Sequence, residues 1–135
     1  LGNLNALRDW GHARDYVEMQ WRMLQQDKPE DFVISTGKQA SVRDFVELSA
    51  KELGWEGIIW EGKETEEIGR RKDNGDIVIR VDSKFYRPSE VNTLLGNPSK
   101  AHEKLGWEPT TTLHELIQEM ILEDKLIANK ESKHL

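Results

Sequence analysis

Phe32-Val33-Ile34-Ser35-Thr36-Gly37, followed by Ser41-Val42-Arg43-Asp44-Phe45-Val46, is the stretch on which the reading of the fold turns. The first four residues form a short apolar run rich in strand formers, and Gly37 supplies a turn, so a short buried strand is predicted. Ser41 has Asp44 three residues later, an approximate capping box. Val42, Phe45, Val46, Ser49 and Leu53 then trace one helical face up to Gly54. A strand that hands over to a capped helix points to a chain that mixes the two kinds of element.

The same alternation extends outward. Tyr16, Val17, Gln20, Met23 and Leu24 recur at helical spacing, which predicts an amphipathic helix over His12 to Gln26, ended by Asp27-Lys28-Pro29. Gly57-Ile58-Ile59-Trp60 and Ile77-Val78-Ile79-Arg80-Val81 read as strands, and the charged stretch from Glu61 to Asp76 reads as an exposed loop. Asn97-Pro98 supplies a cap and a proline for a short helix that Gly106 terminates. Thr112 with Glu115 opens the last helix, whose stripe is Leu113, Leu116, Ile117, Met120 and Ile121. The fold class expected is α/β with mixed α+β character. The strands are too few and too unevenly spaced for a complete doubly wound sheet. Residues 1–129 are read as one folded unit and residues 130–135 as a frayed tail.

The chain has 135 residues, 33% of them charged, a formal net charge of −6 and no cysteine. That size suits one ordinary domain. The negative balance opposes binding to nucleic-acid backbones, which is driven by Lys and Arg displacing counterions. The lack of cysteine removes disulfides and thiolate metal sites and fits a cytoplasmic setting. No apolar run approaches the length needed to span a bilayer, so no membrane partner is expected.

Catalytic signatures are missing. There is no Gly-x-Gly-x-x-Gly turn of the kind that cradles a dinucleotide pyrophosphate. Tyr16 and Tyr86 are followed four positions later by Gln20 and Glu90, so neither belongs to a Tyr-x-x-x-Lys pair. His12, His102, His114 and His134 are isolated and suggest no metal centre. The five tryptophans are expected in the core or half-buried. Two clusters stand out: Arg8-Asp9-Trp10-Gly11-His12, and Phe85-Tyr86-Arg87-Pro88-Ser89-Glu90. Two guanidinium groups would suit the oxygens of a diphosphate, and a carboxylate such as Glu90 can accept two hydroxyls. Against that stand local pairings of Arg8 with Asp9 or Asp15, and of Arg87 with Glu90.

The segments Leu1-Gly2-Asn3-Leu4 to Arg8-Asp9-Trp10-Gly11-His12-Ala13, Asp31 to Gly37, Tyr86-Arg87-Pro88-Ser89-Glu90-Val91 and Leu94 to Ala101, ending in Leu105-Gly106-Trp107, resemble the GDP-mannose 4,6-dehydratase family in order and spacing. The resemblance covers Leu1 to about Asp124. It implies the carboxyl-terminal, substrate-binding portion of an extended NAD(P)-binding Rossmann-type protein, without the Gly-rich half. It also implies that Arg8 and Arg87 hold the diphosphate of GDP-mannose and that Glu90 accepts hydrogen bonds from a ribose, with Asn5 a further lining residue. The family converts GDP-mannose to GDP-4-keto-6-deoxymannose plus water with NADP, and its catalytic tyrosine, lysine and Thr/Glu pair belong to the other domain. No catalytic residue and no turnover are therefore expected of this chain alone, and the homodimer or homotetramer is expected of the full-length protein. The alternative is a free-standing nucleotide-sugar-binding or structural module.

Overall fold

The computed structural model describes residues 1–87 and 89–133. In chain order the elements are β1 (Leu7–Asp9), α1 (Ala13–Leu24), β2 (Gln39–Ser41), α2 (Val42–Glu52), β3 (Ile58–Glu61), a short 3-10 helix (Glu64–Glu66), β4 (Ile68–Arg71), β5 (Ile77–Arg80), α3 (Ser99–Leu105) and α4 (Leu113–Ser132). They make two compact units built from interleaved segments. One comprises residues 1–6, 41–92 and 117–135, the other residues 7–40 and 93–116. Because the chain passes between them more than once, no single linker marks the division.

The first unit is organised by an antiparallel meander in the order β3-β4-β5. Ile58 pairs with Arg71 and Glu61 with Ile68, and Ile68 pairs with Arg80 across the other edge of β4. Part of the expected Glu61–Asp76 loop is thus the central strand of the sheet. Ile68-Gly69-Arg70-Arg71 lacks an apolar run, and two flanking strands supply what its own propensity does not. Gly69 is needed there, since a Cβ would stand 2.9 Å from Cζ3 of Trp60 and 3.0 Å from Cγ2 of Ile58. Arg43 on α2 crosses to Glu67 with bonds of 2.6 and 3.1 Å and lies over the Trp60 ring. The N-terminus of α2 is closed by the reciprocal Ser41–Asp44 box.

The second unit is built on α1 and α3 around Met19, Ala101 and Trp107, with Tyr16, Met23, Phe32, Ile34 and Leu105 against them. The buried face of α1 is therefore turned from the stripe expected: Asp15 and Met19 are buried, while Val17 is 61% and Leu24 81% exposed. Trp21 is also exposed, contrary to the expectation for the tryptophans; Trp107 fulfils it at 1%. α3 ends on Gly106 in the left-handed region at φ 62°, a conformation that favours glycine. Asn97 caps it from one position earlier than the assigned cap, its side-chain oxygen accepting from the Ser99 N–H at 3.1 Å.

Phe32–Ser35 is not a strand. The segment has no assigned secondary structure, because no neighbouring strand pairs with it among the described residues. β1 and β2 form a separate two-stranded sheet. α4 runs to Ser132, past the point where fraying was expected, and His134 lies outside the described residues.

Candidate functional site

In the second unit, Arg8 sits at the middle of β1, half-buried, with Nη1 donating to the Leu7 carbonyl at 2.8 Å. The strand is held by its neighbours in sequence. Asp9 accepts from the Thr36 N–H (2.9 Å), the Thr36 hydroxyl (2.6 Å) and the Gly37 N–H (2.9 Å), so both carboxylate oxygens are occupied. Trp10 follows, its indole N–H donating to the Ala40 carbonyl at 3.1 Å. His12 caps α1 by accepting from the Arg14 N–H at Nδ1, 2.9 Å away. That bond requires an unprotonated Nδ1 and gives this histidine a structural role.

Asp15, the other carboxylate weighed as a partner for Arg8, faces inward. It is 2% exposed and accepts from the Thr110 N–H and hydroxyl and the Thr111 N–H at 2.8–3.1 Å. Burial pushes this carboxyl up, but the bonds from Thr110 and Thr111 outweigh it and hold the group below the usual range. Its backbone carbonyl receives the Trp107 indole N–H at 2.9 Å. Burial, then the charges of Asp9 and Asp15, raises the Tyr16 phenol. Beside this anchor lies a cleft of about 240 Å³, lined by Trp10, Thr36, Lys38, Gln39, Thr110 and Thr112 among others. Sequence reasoning weighed Asp15 only as a local partner for Arg8; nothing in its spacing hints that Thr110 and Thr111 return to it.

In the first unit, Arg87 and Glu90 follow a turn in which Phe85 and Tyr86 donate their N–H groups to the Asp82 carbonyl. Lys84 donates to the Asp82 side chain at 2.8 Å. Arg87 is exposed and makes no hydrogen bond or ion pair among the described residues, so the local Arg87–Glu90 pairing is not formed. Glu90 is half-buried, and Pro88 of this cluster lies outside the described residues. Asn5 accepts from Arg43 at 3.2 Å. Arg8 belongs to one unit, and Arg87 and Glu90 to the other.

The N-terminus of α2 is already occupied by the Asp44 carboxylate, and that of α4 by Glu115, which accepts from the Thr112 N–H at 2.7 Å. A pyrophosphate at either end would meet a negative charge in place of free N–H donors. Among the described residues no cluster of three or more metal-ligating side chains occurs, and no helix is long and apolar enough to cross a membrane.

Comparison with known proteins agrees with the motif reading. The family model for GDP-mannose 4,6 dehydratase matches residues 1–120. The chain is 57% identical over 124 residues to GDP-mannose 4,6 dehydratase 2 of Caenorhabditis elegans, covering 92% of this chain and 32% of that protein. It is 54% identical over 124 residues to the Homo sapiens GDP-mannose 4,6 dehydratase, covering 92% and 33%. The fold is similar to Thermotoga maritima UDP-glucose 4-epimerase with UDP-glucose, with TM-score 0.69, 23% identity and coverage of 95% of this chain and 34% of that one. Pseudomonas aeruginosa RMD with NADPH gives TM-score 0.65 at 17% identity, covering 92% and 34%. The chain thus spans about a third of the length of the relatives it matches, and by its sequence it belongs to the GDP-mannose 4,6-dehydratase family.

Proposed function

We propose that this chain is the substrate-binding part of a GDP-mannose 4,6-dehydratase, which grips GDP-mannose while residues outside it perform the chemistry. The observation that carries this reading is 57% identity to such an enzyme over nearly the whole of this chain. Arg8 and Arg87 each contribute a guanidinium to the diphosphate, where charge and planar geometry match the phosphate oxygens. Glu90 accepts from ribose hydroxyls. The anchoring of Asp9 on Thr36 and Gly37 supports the role of Arg8, because it fixes β1 and leaves that carboxylate saturated with other donors. The exposure of Arg87 supports its availability to a ligand.

The contribution of such a part to catalysis is orientation: binding energy from the nucleotide holds the hexose where another domain acts on it. In the full-length enzyme the reaction is loss of water from GDP-mannose, with a nicotinamide cofactor, NADP, held by the portion this chain does not span. The full-length protein works as a homodimer or homotetramer in the cytoplasm. Calorimetric titration with GDP-mannose tests the grip. Arg87→Ala weakens binding by about 2 kcal/mol, a charge-assisted contact to phosphate being lost. Equal affinity of Arg87→Ala and the parent chain would overturn the assignment of Arg87.

A further inference from the structure

α4 continues well past the part of it that packs. Ile117 is 1% exposed and Ile121 half-buried, but every residue from Leu122 to Ser132 is exposed. A helical segment of that length without tertiary support is marginal in water, since most helix stability in proteins comes from burying one face. The segment also lies past residue 120, where the match to the GDP-mannose 4,6 dehydratase family model ends.

Leu122 and Leu126 are 63% and 49% exposed, and at 3.6 residues per turn they point away from Ile117 and Ile121. Asn129 extends their line in the alternating spacing of a helix-pairing seam. Glu123 and Lys130 flank one edge of this seam, and Gln118 and Lys125 flank the other. The side chains of Glu123, Lys125 and Lys130 make no hydrogen bond or ion pair among the described residues. All of these residues belong to the first unit.

We infer that the outer face of α4 around Leu122 and Leu126 is a self-docking surface, on which a second copy of this chain pairs antiparallel. Charge complementarity selects that occupant and that orientation. Two helices running in opposite directions, centred at the level of Asp124, set Leu122 against the partner's Leu126 and Leu126 against the partner's Leu122, so that four leucines close over one another. The same register sets Glu123 beside the partner's Lys130, and by symmetry the opposite pair forms too. A parallel pairing of the same seam sets Lys125 beside the partner's Lys130, two like charges, and gives Glu123 no basic neighbour. The acidic and basic edges thus fit a copy of themselves only when it is reversed.

The pairing uses none of Arg8, Arg87 and Glu90, so it holds or fails independently of GDP-mannose binding. Four leucines and two ion pairs make a small interface, for which a dissociation constant of about 0.1 mM is expected. Sedimentation velocity of the 135-residue chain, from about 10 µM to about 1 mM, spans that value and should show a reversible shift from monomer to dimer. Leu126→Glu should weaken the dimer at least tenfold, with the circular dichroism of the dilute chain unchanged. Lys130→Glu and Glu123→Lys, each placing like charges together twice, should each weaken it about tenfold. The double exchange, Glu123→Lys with Lys130→Glu, should restore the parent's association. A chain that stays monomeric at the highest concentration overturns the proposal. So does a dimer indifferent to Leu126→Glu, which would lie on another face. A dimer that Lys130→Glu strengthens would be parallel, and a double exchange that restores nothing would break the Glu123–Lys130 pairing; either result overturns the antiparallel seam.

Discussion

The two arginine-bearing segments are built on opposite plans. Arg8 rides on a strand whose next residue, Asp9, is tied to Thr36 and Gly37 by three hydrogen bonds, and whose following helix is pinned through Asp15 to Thr110 and Thr111. Arg87 follows a surface turn organised by Asp82 and is itself exposed. The backbone that carries the first arginine is held by the fold on both sides. Ordering an exposed arginine such as the second costs side-chain freedom of the order of 1–2 kcal/mol.

Breaking the anchored side should have the largest effect. Asp15→Ala removes the buried acceptor of three hydrogen bonds from Thr110 and Thr111 and should lower stability by about 3 kcal/mol, measured by urea unfolding. Arg87→Ala should change stability by less than about 0.5 kcal/mol, since the residue is exposed and makes no hydrogen bond or ion pair among the described residues. If both cost the same, the contrast between the two segments is wrong.

Acid sharpens the same comparison. The folded-state value of Asp15 lies below its ordinary value of 3.8. Its contribution is therefore complete at neutral pH and is lost as the pH falls below 3.8 toward the depressed folded value. Urea midpoints for the parent chain should drop over that window more than those of Asp15→Asn, which has no such proton to take up. Parallel pH profiles would remove Asp15 from its anchoring role.

A smaller loss is expected in the first unit. Gly69→Ala places a methyl group within 2.9–3.1 Å of Trp60, Ile58 and Ile79 and should cost about 1–3 kcal/mol. Smaller again than Gly69→Ala is Ser41→Ala, which removes one half of a capping box on α2 and should cost about 1 kcal/mol. Thermal melts of both variants check the order.

What the sequence disclosed was local. The boxes at Ser41–Asp44 and Thr112–Glu115 and the Gly106 stop are written in three or four neighbouring residues, and the helices they bound are present. What it hid depends on distant partners. β4 is a strand because β3 and β5 flank it, and Phe32–Ser35 is not one because nothing flanks it among the described residues. The inward face of α1 was misplaced because Asp15, a charged residue, is buried by partners 95 and 96 positions away, while Val17 and Leu24 are left outside. Arg8, Arg87 and Glu90 were singled out by motif resemblance; composition and periodicity alone left each of them an ordinary surface charge.

The claim that this chain grips GDP-mannose without transforming it is tested most directly by equilibrium dialysis. GDP-mannose and NADP are dialysed against the 135-residue chain, with the nucleotide sugars on both sides identified by mass. The account predicts a saturable excess of unchanged GDP-mannose on the protein side. A product lighter by one water, or a folded chain with no excess of GDP-mannose at all, would contradict it.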